Sequence, residues 1–557
     1  MGMDSNRKAA ALLWRLTEGR SDPAILPMRV QKMPFTACTA KSTRLPRSSP
    51  EAEGVSREAL ERFLECAAAD KEENLHSLTV LKHGRVIAEC SFAPYDREIW
   101  HVTHSLCKTI TSLAVGILIG EGKLRLDERI VDILEERCSA AALQHYGRLT
   151  VFHLLTMTSG ASFGEMQSVT DENWVQGFLD STPLFPVGEK FHYNSMNTYM
   201  LSAIIRAKTG KTLTKFLRVK LFDFMGIRQF WWETCPIGIE KGGWGLYLLQ
   251  EDAAKLGQLI LNRGKWEGRQ LVSEEYIKNM CAWHSDPPEE MGKYGYGFQC
   301  WLWERPGSVH LSGLFGQSVL MVPDLDMVIA ANAGSGRMFG ESRFLRYCSE
   351  FLRNIEKNYC IMNLSRRGFA CILQGKCGSF RENGTMKLEK SYVIQSGFGR
   401  LLPVFVQLLE NSYTIGIRKI GIFRRGTALY IGIDEGESRN LLRVGFSTPA
   451  RGKVTINGEQ HETAVSGKWG KRDGKMVLRL DVAFLEQAST RHMELIFEDA
   501  CTMRLVMRET PDKRALLDGA ALLFGGDSRA VRALSTGKLR QKLDNLAEPE
   551  LIFVREK

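Results

Sequence analysis

No stretch of this chain runs for about 18 consecutive apolar residues, the length a membrane-spanning helix needs. Its thirteen cysteines are scattered, odd in number and nowhere paired as C-x-x-C. That distribution argues against a disulfide framework or a zinc site and suits free thiols in a reducing cytoplasm. Lys and Arg outnumber Asp and Glu only by 74 to 64, and the net +10 is spread over 557 residues. No block is dense enough to argue for nucleic acid or an anionic membrane as partner. The opening, MGMDSNRKAAALLWRLTEGR, lacks the apolar core of a secretory signal. From these absences the expectation is a cytoplasmic protein with no cofactor, no metal site, no nucleic-acid partner and no membrane partner. The length implies two or three domains.

What is present is organised around residues 104–124, HSLCKTITSLAVGILIGEGKL. Ser105 and Lys108 stand one helical turn apart, so a helix puts both on one face. A serine hydroxyl needs a base, and a lysine held beside it and partly desolvated can serve as one. A serine at a helix start also meets free backbone N–H groups that favour an oxyanion. Ile110, Leu113, Ala114, Val115, Ile117, Leu118 and Ile119 cover most of the circumference, so the helix is central rather than superficial. Gly120 and Gly122 supply its stop. The pair alone is a common coincidence, and its meaning depends on the rest of the chain.

Before it, residues 56–69 read as a helix capped by Ser56. Residues 78–81 and 85–89 read as strands joined through Lys82-His83-Gly84. Residues 149–160 read as a short helix stopped by Gly160. Gly160 to Gly164 then spell G-x-S-x-G around Ser162. That motif works only between a strand and a helix; here a helix precedes it and a polar loop follows, so the reading is a loop. Tyr193, Asn194 and Ser195 precede a helix from about residue 197. Alone, Tyr193 reads as packing before it reads as an acid or base. Gly242 and Gly243 turn the chain into a helix opened by Glu251 and Asp252. Residues 294–303 read as a strand. Residues 310–317 lead into strands at 318–322 and 327–331. Gly313 marks either a bulge or a close approach to the backbone.

Cys107 lies off the face of Ser105 and reads as a buried small residue. His104 reads as capping or packing, and Trp174 either lines a cleft or anchors its loop. The expected organisation is an arm at 1–45, a catalytic domain at 46–357, a linker at 358–395 and a β-rich accessory domain at 396–557. Short runs separated by Gly-bearing turns give that last region the signature of a small antiparallel barrel or sandwich. Residues 528–546 read as a basic helical tail.

Ser105-x-x-Lys108, Tyr193-x-Ser195 and Leu311-Ser312-Gly313 follow one another in an order that resembles the serine β-lactamase and penicillin-binding-protein superfamily. The similarity is to its class C β-lactamase-related branch of esterases, D-aminopeptidases and aminohexanoate-oligomer hydrolases. It spans residues 50–357 and includes the phrases LTVFHLLTMTSG, GGWGLYLLQEDAAKLGQLILNRG and FGQSVLMVPDLD. The resemblance implies an α+β fold: an antiparallel sheet flanked by helices, with an all-helical subdomain. It implies Ser105 as acylated nucleophile, Lys108 as its base and Tyr193 as second acid and base. The oxyanion hole would fall on the backbone N–H of Ser105 and of Leu314, after Gly313, with Ser195 and Ser312 at the substrate. The reaction implied is acyl transfer from a small ester, amide or peptide without a metal.

Two positions depart from the pattern. Ser195 replaces the usual asparagine, and Leu311 replaces the usual Lys or His. His310 precedes Leu311, but neighbours in a strand face opposite ways. The missing cation argues against an efficient β-lactamase and for a substrate without the carboxylate it would meet. The alternative is a sensor or binding protein that keeps the fold and is acylated without turnover. A Ser162 esterase is a third reading, and a homodimer is a possible assembly.

Overall fold

The structure is a computed structural model that describes residues 8, 11, 12, 15, 31–337, 342–358, 385–515 and 537–556. The chain divides into two compact units. One comprises Met1–Asn6, Thr39–Phe92 and Trp100–Leu373; the other comprises Arg7–Cys38, Ala93–Ile99 and Gln374–Lys557.

The first unit is built on a six-stranded antiparallel sheet. Its strands are β1 (Leu75–Lys82), β2 (Arg85–Ser91), β3 (Trp301–Leu302), β4 (Val309–Gly313), β5 (Gln317–Val322) and β6 (Met327–Ala333), in the order β2-β1-β6-β5-β4-β3. His83 and Gly84 both take positive φ, which matches the twist of the β1–β2 hairpin. One sheet face is covered by α1 (Arg57–Ala69), capped by Ser56 Oγ on Ala59 N, and by α5 (Arg343–Asn358). Phe63 of α1 and Phe351 of α5 stack at 4.8 Å over Leu78, Val80 and Ile329.

The other face packs α2 (Cys107–Gly120) and α4 (Gln250–Leu261). Helix α4 approaches closely because Gly257 has no side chain; a methyl there would lie 2.6 Å from Val319. Helix α2 is buried from Cys107 to Leu118, as its unbroken apolar text requires. Helix α3 (Ser195–Thr209) and the short helices between residues 130 and 222 surround it.

Two local expectations are corrected. The helix near residue 150 spans only Val151–Leu155. Gly160 lies beyond it at φ +72, where a methyl would come 2.4 Å from Phe185 O. Of residues 294–303, only Trp301–Leu302 form a strand. Gly295 and Gln299 take positive φ and break the extended run.

The second unit is a ten-stranded, nearly closed antiparallel barrel. Its strands are β7 (Lys387–Ser396), β8 (Ile417–Arg425), β9 (Ala428–Glu435), β10 (Ser438–Arg443), β11 (Ala450–Ile456), β12 (Glu459–Arg472), β13 (Lys475–Phe484), β14 (Thr490–Phe497), β15 (Thr502–Thr510) and β16 (Glu550–Arg555). Their order is β10-β9-β8-β7-β16-β15-β14-β13-β12-β11. The barrel's first and last strands in sequence, β7 and β16, are neighbours, so residues 550–555 complete the wall. At the β10–β11 seam, Asn440 Nδ2 donates to Thr455 O at 3.0 Å and Asn440 Oδ1 accepts from Thr455 N at 2.7 Å.

Residues 397–416 fill one end of the barrel and include α6 (Val404–Glu410). Arg491, buried, pairs with Glu509 at 2.8 Å and donates to Leu402 O. Strand β7 starts inside the range read as a linker, whose residues 359–384 lie outside the described ones. From the range read as an arm, Lys32 pairs in a buried position with Glu486 at 2.7 Å. Of the tail read at 528–546, the described part is helical within Gly537–Ala547; residues 528–536 lie outside the described ones.

Candidate active site

Ser105 sits in a single 3-10 turn, His104–Leu106, that feeds directly into α2. His104 holds φ 47, a left-handed conformation that turns the chain out of strand His101–Val102 and into the helix. Lys108 lies in the first turn of α2 and is 1 % exposed. Its Nζ is 2.9 Å from Ser105 Oγ, 2.9 Å from Ser195 Oγ and 2.8 Å from Gly243 O. The spacing in the sequence thus becomes contact. Ser195 occupies the place of the expected asparagine and still meets Lys108.

Ser195 is set by the start of α3. Asn194 caps that helix, its Oδ1 accepting from Met196 N at 2.8 Å while its Nδ2 donates to Ala161 O and Phe163 O. The carboxylate of Glu165 accepts from Ser195 N at 3.0 Å. The Gly242–Gly243 turn presses against α3; a methyl on Gly243 would meet Ser195 O at 3.0 Å. This closeness brings Gly243 O within reach of Lys108.

Strand β4 closes the site from the side. A methyl on Gly313 would come 2.2 Å from Thr103 O and 3.2 Å from Leu106 N. The β4–β5 ladder runs without a register shift, so Gly313 marks a close approach and not a bulge. The regular pleat puts Leu311 in the core at 1 % exposure. His310 and Ser312 share the opposite face and line the cavity. His310 Nε2 pairs with Ser318 Oγ at 2.9 Å. Burial pulls its pKa down to about 4. His104 is buried edge-on to Phe315, and burial, then His101 and Lys108, pull its pKa down to about 3.

The cavity, about 540 Å³, is lined by Ser105, Tyr193, Trp301, Ser312, Gly313 and Leu314 among others. The Tyr193 ring lies 4.9 Å from Lys108 Nζ and stacks on Trp301 at 5.7 Å. Sequence reasoning missed Trp301 and Gly243 O. It also missed a set of cations: Arg337, and Arg346 and Arg353 on one face of α5, line the same cavity. Their position on the wall has no local sequence signal.

The remaining candidates fall elsewhere. Ser162 lies in a coil ahead of the short helix Glu165–Ser168, with no strand before it. Trp174 is buried, stacks on Trp244 at 5.6 Å and donates to Asp171 O, so it anchors its loop. Cys107 is buried against Gly242 O, and burial pushes its pKa up to about 12.

Residues 67–338 match the Beta-lactamase family model. The fold of the first unit is β-lactamase-like. The chain is 26 % identical over 365 residues to the 6-aminohexanoate-dimer hydrolase of Paenarthrobacter ureafaciens, covering 58 % of this chain and 84 % of that protein. Among solved structures it is similar to a penicillin-binding-protein homologue from Caulobacter crescentus, at TM-score 0.45 and 18 % identity over 56 % of this chain and all of that one. It is also similar to the octameric penicillin-binding-protein homologue from Pyrococcus abyssi, at TM-score 0.43 and 16 % identity over 81 % of this chain and 99 % of that one. The β-lactamase-like unit is followed by the barrel, a combination of helices and antiparallel sheets that agrees with the α+β expectation.

Proposed function

We propose that this chain is a serine hydrolase that cleaves a small ester or amide through an acyl-Ser105 intermediate. The observation that carries the reading is the 2.9 Å contact between Lys108 Nζ and Ser105 Oγ inside the lined cavity. As Lys108 takes the hydroxyl proton, Ser105 Oγ bonds to the substrate carbonyl carbon. The carbonyl oxygen gains the negative charge and is held by the N–H groups of Ser105 and Leu314. Each such donor is worth about 2.7–4 kcal/mol in the transition state. Tyr193 then hands a proton to the departing alcohol or amine. In the second half it takes one from the water that bonds to the acyl carbon, and Lys108 returns its proton to Ser105 Oγ as the C–O bond to Ser105 breaks. No step uses a metal or cofactor.

The 6-aminohexanoate-dimer hydrolase relative supports an amide as well as an ester. Leu311, locked in the core, supplies no cation, which supports a poor β-lactamase.

The test is intact-mass labelling of the wild type, Ser105→Ala and Ser162→Ala with a fluorophosphonate and with a penicillin, alongside p-nitrophenyl ester release. An adduct and turnover that both need Ser105 are expected. An adduct without turnover would replace the hydrolase by an acylated sensor. Turnover that needs Ser162 instead would overturn the assignment.

A further inference from the structure

The barrel has one end filled by residues 397–416 and a second end with a different surface. That second end is formed by the start of β7, the segment after β10, and the β12–β13 and β14–β15 turns. The strand pairing fixes which side chains share the inner face there. Trp469 lies opposite Leu478, a core residue, and Lys471 lies opposite Met476. Phe497 lies opposite Met476 on the other side. Trp469 and Phe497 stack at 6.0 Å. Beneath them Tyr392 is fully buried, with its ring 6.4 Å from that of Phe497. Its hydroxyl has no hydrogen-bond partner among the described residues.

Around this aromatic floor the surface is apolar and basic together. Met386 is 37 % exposed, Leu388 56 %, Phe446 49 %, Trp469 40 % and Met476 44 %. An apolar cluster of this kind on an exposed barrel end marks a contact surface. Lys390 Nζ stands 5.7 Å from the Phe497 ring and Lys471 shares the face of Trp469, while Lys387 and Lys468 are exposed on the same two strands, Lys468 on the outer face. Of the nearby acids, Glu389 is engaged by Arg424, Glu494 by Arg472 and Arg479, and Glu498 by Lys475 and Arg504, while Asp473 in the β12–β13 turn is 88 % exposed and stands 4.0 Å from Arg472. No ion pair forms on any of the four lysines among the described residues.

We infer that this barrel end docks on an anionic phospholipid bilayer. Trp469, Met476 and Phe446 enter the headgroup region, Leu388 flanks them on the outer wall, and the exposed lysines face the lipid phosphates. The exposed apolar side chains come from separate strands, β7, β12 and β13, and from the segment after β10, which suits a flat surface better than an extended peptide. Aromatic residues favour the bilayer interface, and lysines near an anionic leaflet add attraction that salt weakens.

The experiment is vesicle flotation of the full chain with phosphatidylcholine alone and with phosphatidylcholine mixed with phosphatidylserine. Binding to the mixed vesicles only, weakened by salt, is expected. Lys468→Glu with Lys471→Glu lowers it more than about tenfold. Trp469→Ser with Met476→Ser lowers it as well, and Lys387→Glu with Lys390→Glu is a third arm with exposed positions only. Ester turnover stays at the wild-type level in all three. Equal binding to neutral vesicles, or wild-type binding by the variants, overturns the inference. A co-purifying protein displaced by the same variants, without vesicle binding, overturns the lipid and puts a protein partner there.

Discussion

Lys108 Nζ faces three oxygens, and a lysine amine that is ready to take a proton has only two N–H groups left. Gly243 O can only accept, and Ser195 Oγ accepts readily, so in the proposed mechanism those two hold two N–H groups and the third position of Nζ faces Ser105. Ser195→Ala removes one of these holds. The expected result is about a tenfold fall in kcat with KM little changed, a loss confined to orienting the base. Steady-state ester kinetics reads the split. The serine and lysine were legible because a three-residue spacing is a geometric statement in a helix. Gly243 O was not, because a backbone carbonyl carries no residue identity.

His310 gives the site a pH dependence at the same scale. In the unfolded chain a histidine protonates near about pH 6.5. In the native state His310 stays neutral down to about 4, because burial disfavours its charge. Below pH 6.5 the unfolded chain therefore binds a proton that the native chain refuses, and stability falls as pH falls toward 4. Above 6.5 the group contributes no slope. Between pH 7 and pH 5 the expected loss from this residue is roughly 2 kcal/mol. Urea unfolding of His310→Gln at both pH values should show a fall smaller by that amount; an identical fall would remove His310 from the account.

At the scale of elements, the decisive contact is between the end of β4 and the turn that carries Ser105. Gly313→Ala places a methyl 2.2 Å from Thr103 O, a backbone atom that cannot swing aside. The strand end must move off, and with it Leu314 N–H. In the proposed mechanism that removes one oxyanion donor, which predicts a fall in kcat of about a hundredfold or more. Far-UV circular dichroism should remain near wild type, because the β4–β5 ladder itself is regular. The sequence left Gly313 between a bulge and a close approach, since a glycine in a strand serves either. The same ambiguity explains residues 294–303, where small and aromatic residues alternate as in a strand. There Gly295 and Gln299 adopt positive φ and the chain turns instead.

At the scale of the molecule, two arrangements bring distant residues together. In the barrel, Arg491 and Glu509 form a buried pair that also binds the plug backbone at Leu402 O and Val404 N. Arg491→Ala leaves Glu509 without its cation. The expected cost is about 3–5 kcal/mol, visible as a lower urea midpoint for the barrel. In the first unit, the cavity wall gains Arg346 and Arg353 from α5, far in sequence from Ser105. If these guanidinium groups receive a substrate carboxylate in place of the absent cation at Leu311, Arg346→Ala with Arg353→Ala should raise KM several-fold for a carboxylated ester. The neutral ester should be unaffected. Equal effects on both esters would exclude that role.

The sequence by itself determined the local geometry: the helix that aligns Ser105 with Lys108, the hairpin at His83-Gly84, and the alternating strands of the barrel. Those follow from periodicity and from backbone preferences that act over a few residues. Only the tertiary structure decided which backbone carbonyl holds Lys108 and which face of β4 meets the cavity. It also decided that the last strand of the chain pairs with β7, and that lysines from two separate strands lie at one apolar barrel end. Each of these depends on contacts between residues tens or hundreds of positions apart, and such contacts are fixed by packing of the whole core rather than by any local pattern.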